Sequence, residues 1–362
     1  MNKEYKLLTP GPLTTTKTVK EQMLFDHCTW DEEYKQITQR IRKKLLKLAH
    51  VKDLDYTTIL MQGSGSFGVE SVLSSVLSDE NTVLILANGA YGERMVEMAQ
   101  ANKINVLLYE SPVNEQPDIK EVELLLKDHP EITHLAMVHS ETTTGMLNNL
   151  EPFATLCKKN NLVFIVDAMS SFGGVNIEVD KLGIDYLISS ANKCIQGVPG
   201  FSFIIAKLES LKKSQGNART VSLDIHKQWE AMDIDGKWRF TSPTHVVLAF
   251  EQALKEMEQE GGIPARYARY KKNMNLLVQA FDKIGLKHYL SEENQSPIIA
   301  TFEYPEGDFK FEEMYGFVKE RGYAIYPGKL MGMNTFRIGV IGEIYPEDIE
   351  KLSEIMQEYF EK

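Results

Sequence analysis

From Tyr56 onward the chain alternates short, almost continuously apolar runs with longer amphipathic ones. "YTTILM", "TVLILAN", "INVLLYE", "THLAMVHS" and "LVFIVDAMSS" are the apolar runs. Between them lie "SGSFGVESVLSSVL", "GERMVEMAQAN", "IKEVELLLKDH" and "LEPFATLCKKNN", whose apolar residues recur at helical spacing. A strand that is apolar at nearly every position is buried on both faces. Strands separated by helices are joined by crossovers, which make neighbours parallel. The expectation is an α/β fold, a mostly parallel sheet covered by helices on both sides.

The tail changes character. "ARYARYKKNMNLLVQAFDKIG" is one long amphipathic helix, followed by "PIIATFEY", "FKFEEMYGFVKERG", "NTFRIGVIG" and "YPEDIEKLSEIMQEYF", a smaller α+β unit. A chain of 362 residues exceeds what most single cores hold, so two domains are expected. The break is placed in "EQEGGIP", around Gly261 to Pro264. The division is an N-terminal arm over 1–15, a large domain over 16–262 and a small C-terminal domain over 263–362.

A formal net charge of -11 argues against a nucleic-acid partner, while leaving room for one cationic pocket that takes a small anion. No apolar run approaches the roughly 20 residues of a membrane span. The start, "MNKEYKLLTPGPLTTT", has no apolar core of a secretory signal. Cys28, Cys157 and Cys194 lack metal-ligand spacing, so no metal site is expected and a reducing cytoplasm is.

Two features carry chemistry. "QGSGSFGVES" matches G-x-G-x-x-G through Gly63, Gly65 and Gly68, after a strand and at the start of a helix. A dinucleotide site would also need a carboxylate at the end of the next strand, and "LILANGAYG" offers Asn88 there. What survives is simpler. Ser64, Gly65 and Ser66 at a helix N-terminus offer N–H groups, hydroxyls and a positive dipole end, which suit one phosphate; a plain N-cap by Ser64 reads the same.

The second feature is a pair. Asp167 ends the apolar run "NLVFIVD", and in parallel sheets such strand ends line the ligand crevice. Lys193 stands in "YLISSANKCIQGVPGFSF" between two short apolar runs, where a lysine needs a partner or a task. A structural Asp167–Lys193 ion pair is one reading. The other is a site for pyridoxal 5'-phosphate, which needs a lysine to attach the cofactor and move a proton, an acid to keep the pyridine nitrogen protonated, and a phosphate cup.

With those residues in place the chain resembles the class V aminotransferases of fold type I. The resemblance runs over nearly the whole length, through "LLTPGPLT", "MQGSGSFGVE", "NGAYGERM", "HSETTTGMLN", "VDAMSSFGG", "SANKCIQGVPGF", "RFTSPTHV" and "FRIGVIG". It implies a seven-stranded sheet in the large domain and pyridoxal 5'-phosphate as cofactor. Lys193 becomes the covalent anchor and Asp167 the partner of the pyridine nitrogen. Ser64, Gly65 and Ser66 become the phosphate cup, Tyr91 the ring that stacks on the cofactor, and Thr142 a hydrogen-bond donor near its phenolic oxygen. Thr241 corresponds to a phosphate ligand given by the partner subunit of a homodimer with shared sites. Arg337 corresponds to the arginine that grips the substrate's acidic group, a planar fork suited to carboxylate or phosphonate. The N-terminal "TPGPL" belongs near the pocket.

Within the class, the pattern is most similar to the branch that moves the amino group of 2-aminoethylphosphonate to pyruvate. An alanine–glyoxylate or serine–pyruvate transaminase is the alternative, since Arg337 suits either anion. A cysteine desulfurase would need a late catalytic cysteine, and no cysteine follows Cys194. Cys194 itself reads as a small buried hydrophobe, His139 as structural, the His27, Cys28 and Trp30 group as packing near a subunit interface, and the C-terminal tyrosines and methionines as core.

Overall fold

A computed structural model of the protein describes residues 4–328, 330 and 333–361. Its large sheet holds β1 (Tyr56–Gln62), β2 (Thr82–Ala87), β3 (Asn105–Glu110), β4 (Ile132–Val138), β5 (Val163–Asp167), β6 (Tyr186–Ser190) and β7 (Phe201–Lys207). The strands lie in the order β1-β7-β6-β5-β4-β2-β3. All pairings are parallel except those of β7, which runs antiparallel to β1 and β6. The continuous apolar runs have their expected cause: β2 and β6 are buried at every position, and separate apolar clusters cover the two faces.

The crossover helices are α2 (Gly65–Val76), α3 (Ala90–Ala101), α4 (Ile119–Asp128) and α5 (Glu151–Asn160), with α1 (Glu32–Leu48) before the first strand. Downstream come α6 (Ile225–Asp235), α7 (Thr244–Glu260) and α8 (Gly262–Lys283). Gly261 separates the last two with φ +109, a conformation that glycine adopts without steric cost. Beyond α8 an antiparallel sheet forms from β8 (Ile299–Glu303), β9 (Tyr326–Pro327) and β10 (Thr335–Gly339), with β10 central. Helices α9 (Phe311–Glu320) and α10 (Pro346–Phe360) complete this part. Its core is its own cluster, including Phe281, Phe302, Phe336, Met314 and Met356, and Leu8 of the arm packs into it.

Register decides what meets what. Val138, Asp167 and Ile188 lie side by side across β4, β5 and β6, so these strands end on one edge of the sheet. Because β7 is antiparallel, its first residue, Phe201, pairs with Gln62 at the end of β1. The turn of residues 191–200 that joins β6 to β7 therefore sits on that same edge. Lys193 is in that turn. The chain brings the loops after β1, β2, β4, β5 and β6 to one place, the carboxyl ends of the parallel strands, where α/β sheets bind ligands.

Candidate active site

One cavity opens at that edge, lined by Gly65, Ser66, Tyr91, Asp167 and Lys193 together with Arg94, Met169 and Ser140. The segments after β4, β5 and β6 and the starts of α2 and α3 thus converge. Asp167 is almost wholly buried and its Oδ1 accepts from the Met169 backbone N–H at 2.9 Å. Burial pushes its carboxyl up to about 6, against the pull of that hydrogen bond; Glu141 adds to the rise, and Lys193 and Arg94 oppose it. A carboxylate in this position is stabilised by a cation placed next to it. Lys193 is half-buried, and its Nζ donates to Pro10 O at 2.7 Å. The arm is shaped for that contact: a side chain at Gly11, which has φ +129, would run into the Lys193 amine and stem.

Helix α2 starts beside them. Ser64 is its N-cap in extended conformation, without a side-chain bond into the helix, and it is exposed; Gly65 and Ser66 face the cavity. A Cβ on Gly65 would overlap the Met169 side chain, so glycine permits the close approach of α2 to the loop after β5. The opening turn leaves N–H groups at the positive end of a 12-residue helix. Two buried hydroxyls, Ser140 Oγ and Thr142 Oγ1, have no hydrogen-bond partner among the described residues. Ser140 lines the cavity and Thr142 does not, so an occupant of the cavity would be placed to supply a bond to Ser140.

Arg337 is not among the residues that line this cavity, but it is hydrogen-bonded to the segment that follows Ser140. It is buried on β10, paired across the sheet with Thr301 and Tyr326, and its guanidinium lies 6.0 Å from the centre of the Tyr326 ring. Nε donates to Pro327 O at 3.1 Å and Nη1 to Thr142 O at 2.9 Å, so the same stretch that carries Thr142 orients the arginine. Burial lowers its pKa from the usual arginine value, with Tyr91, Tyr326 and Glu141 acting in the other direction. Thr241 is elsewhere. It is exposed in a separate cleft lined by Gly63, Phe67, Trp238 and Phe240, with Phe67 and Phe240 about half exposed.

The chain as a whole has relatives. The aminotransferase class-V family matches residues 26–342. This chain belongs to the class V aminotransferases. It is 56% identical to a 2-aminoethylphosphonate–pyruvate transaminase of Lysinibacillus sphaericus over 98% of its own length and 97% of the other's. It is 54% identical to an enzyme of the same name from Bacillus cereus, over 96% of both chains. Its fold matches the crystal structure of alanine–glyoxylate aminotransferase from Nostoc sp. with a TM-score of 0.90 at 24% identity, covering 98% and 96% of the two chains.

In this aminotransferase three residues of the site carry no signal strong enough for sequence reading to single them out. Glu141 is fully buried, and it accepts from Tyr91 N at 3.1 Å and Thr143 N at 3.2 Å, as well as from the Thr143 hydroxyl. It caps the start of α3 and so holds the Tyr91 backbone, while burial raises its pKa. Arg94 lies one helical turn after Tyr91, its guanidinium 5.1 Å from the centre of that ring. Met169 forms part of the cavity wall. Of the residues set aside, His139 is buried with Nδ1 2.9 Å from Ser171 Oγ and lines a different cavity; burial pushes its pKa down to about 4. Cys194 is buried as expected, in the turn that carries Lys193, its Sγ donating to Ser170 O at 3.2 Å. Cys28 and Trp30 are exposed.

Proposed function

We propose that this aminotransferase uses pyridoxal 5'-phosphate to move the amino group of 2-aminoethylphosphonate to pyruvate, giving phosphonoacetaldehyde and L-alanine. The observation that carries the substrate assignment is the likeness to enzymes of that name along essentially the whole chain, at identities above one half. For the alanine–glyoxylate alternative stands a likeness of fold at 24% identity. Among the described residues no helix is long and apolar enough to cross a membrane, and the working compartment proposed is the cytoplasm.

The residues present fit the cofactor. The start of α2, with Gly65 and Ser66, offers N–H donors and a dipole for a phosphate, with Ser64 at its cap. Asp167 is buried at the sheet edge with its pKa raised by that burial, and a protonated ring nitrogen beside it would stabilise its charged form. Thr142 and Ser140 bring unpartnered hydroxyls. When bound, the cofactor supplies an electron sink for the charge left on carbon as a C–H bond next to the substrate nitrogen breaks.

The protein's own groups do the rest. Asp167 would hold a proton at the ring nitrogen when the cofactor is bound. Lys193 Nζ would be the covalent anchor for the cofactor and, when not so engaged, the base that takes the proton from the substrate carbon next to nitrogen. Tyr91, its backbone N–H held by Glu141 and its ring against Arg94, lines the cavity and would wall it against water. Arg337 grips the phosphonate in the first half-reaction and the pyruvate carboxylate in the second. One guanidinium serves both because the two anions arrive in turn.

That alternation gives a test. Arg337→Ala should raise the apparent KM for both 2-aminoethylphosphonate and pyruvate by roughly ten- to a hundredfold, the worth of a desolvated charge-assisted bond. Steady-state kinetics with each substrate varied measure it. A defect confined to one substrate contradicts a shared anion site.

The working unit is proposed to be a homodimer in which Thr241 completes the partner's phosphate site. Support comes from the apolar side chains exposed around Thr241, Phe67 and Phe240, and from Leu24, Phe25 and Trp30, each more than 60% exposed on the single chain. Thr241→Ala protomers mixed with Lys193→Ala protomers should then recover activity, because one of the two sites in each heterodimer keeps both residues. No recovery after demonstrated subunit exchange contradicts the shared site.

A further inference from the structure

Three residues past Lys193, Gln196 has φ +67, the left-handed region that side chains other than glycine enter at a steric cost. Such an outlier persists where its surroundings hold it. Both ends of the residue are engaged. Its backbone N–H donates to Lys193 O at 2.7 Å, closing the turn on the lysine. Its buried side-chain Oε1 accepts from Arg269 Nη2 at 3.0 Å and Tyr270 Oη at 3.1 Å, both on α8. Glycine would suit the backbone better, so the side-chain bonds to Arg269 and Tyr270 offset the backbone cost.

Arg269 reaches the other way as well. Its Nη1 donates to Gly342 O and Ile344 O, each at 2.8 Å, in the segment that follows β10, the strand of Arg337. Its Nε donates to Glu260 Oε1 at 2.7 Å, and Glu260 also takes Arg266, whose Nη1 donates to Cys194 O at 2.8 Å. Leu13 of the arm, Cys194, Tyr270, Ile298 and Ile341 pack into one apolar cluster beside it. The lysine turn and the far end of the arginine strand are thus tied to the same α8 side chain.

We propose that Gln196 is a positioning residue: through Arg269 it holds the Lys193 turn in register with the strand that carries Arg337, and so sets the spacing between the amine-handling and anion-gripping ends of the site. This rests on the roles given above to Lys193 and Arg337. A small misplacement of either end leaves binding of each anion intact and spoils the approach of the substrate carbon to the lysine amine.

The test compares Gln196→Leu, which keeps the bulk and loses the acceptor, with Gln196→Glu, which keeps an acceptor for Arg269, both purified with cofactor. Gln196→Leu should lower kcat with 2-aminoethylphosphonate and pyruvate by about tenfold while KM for each stays within about threefold. The visible circular dichroism of the cofactor band should shrink with it, since that signal reports how rigidly the chromophore is held. Gln196→Glu should return kcat and dichroism to near wild type. If Gln196→Leu does not fold, Gln196→Gly, whose backbone suits φ +67, takes its place in the same comparison. Leu and Glu variants that behave alike, or a Leu (or Gly) variant with wild-type kcat and dichroism, overturn the proposal. Lys193→Ala is run alongside. If it loses the visible band while Gln196→Leu is silent, only the positioning role falls; if it keeps the band, the assignment of Lys193 falls and the proposal with it.

Discussion

Lys193→Ala is expected to leave a folded protein without the visible cofactor band and with turnover reduced roughly 10³-fold or more, the combined loss of an anchor and a general base. The fold should survive. Lys193 is only half-buried, in a turn whose neighbours Cys194 and Ile195 are held by Arg266 of α8. Its Nζ contact with Pro10 O joins the arm to the site, and the arm keeps independent anchors: Lys6 and Leu7 pair with Tyr323 and Ala324, and Gly339 N–H donates to Leu8 O. Absorbance spectra and single-time-point assays decide the matter. A structural ion-pair lysine would give the opposite pattern, lowered thermal stability with the band and turnover retained.

Asp167→Asn should separate cofactor binding from catalysis. The variant keeps Lys193 and the start of α2, so it should still take up cofactor and colour, yet lose about 10²- to 10³-fold in kcat, because an amide cannot hold the ring nitrogen in its protonated form. The cofactor-free protein gives a second readout with a sign of its own. Folding raises the Asp167 pKa to about 6, so the folded form holds that proton more tightly than the unfolded chain. Wild-type stability therefore falls as pH rises from the unfolded value near 4 through 6, and levels off above it. Asparagine carries no such penalty. Thermal melts of cofactor-free protein should show Asp167→Asn more stable near pH 7.5, by on the order of 3 kcal/mol, with the advantage gone near pH 4. An unchanged kcat in cofactor-saturated variant contradicts the catalytic role. A stability difference that does not vary with pH contradicts the burial argument.

Much of this architecture was readable because burial leaves a plain mark. Strands β2 and β6 are apolar along their length since both faces are covered, and that alone calls for a parallel sheet between helix layers. Asp167 and Lys193 stood out for the converse reason, charges set against such runs. Strand order and the reversal of β7 were not readable, because pairing such as Phe201 with Gln62 joins residues far apart in sequence. Glu141 lay in view within "SETTTG", but its importance arises only when α3 folds with its first N–H groups onto the carboxylate. Arg94 looks like any solvated helix charge until Tyr91 turns its face to it. Gln196 is hidden in the same way: nothing in "NKCIQG" announces a left-handed glutamine, and the Arg269 that holds it comes 73 residues later.

Which amine empties the cofactor's visible band in a single turnover is the most direct measure of what the site was built for. The purified enzyme, mixed in a stopped-flow cell with 2-aminoethylphosphonate and no keto acid, should lose that band rapidly, and pyruvate should restore it with formation of L-alanine. L-Alanine as sole donor should also bleach it, as the reverse of the second half-reaction. L-Serine should be slower than 2-aminoethylphosphonate by at least about tenfold, and glyoxylate should restore the band more slowly than pyruvate. Bleaching by L-serine faster than by 2-aminoethylphosphonate, with faster recovery on glyoxylate, would contradict the phosphonate assignment and hand the site to the amino acid–glyoxylate reaction.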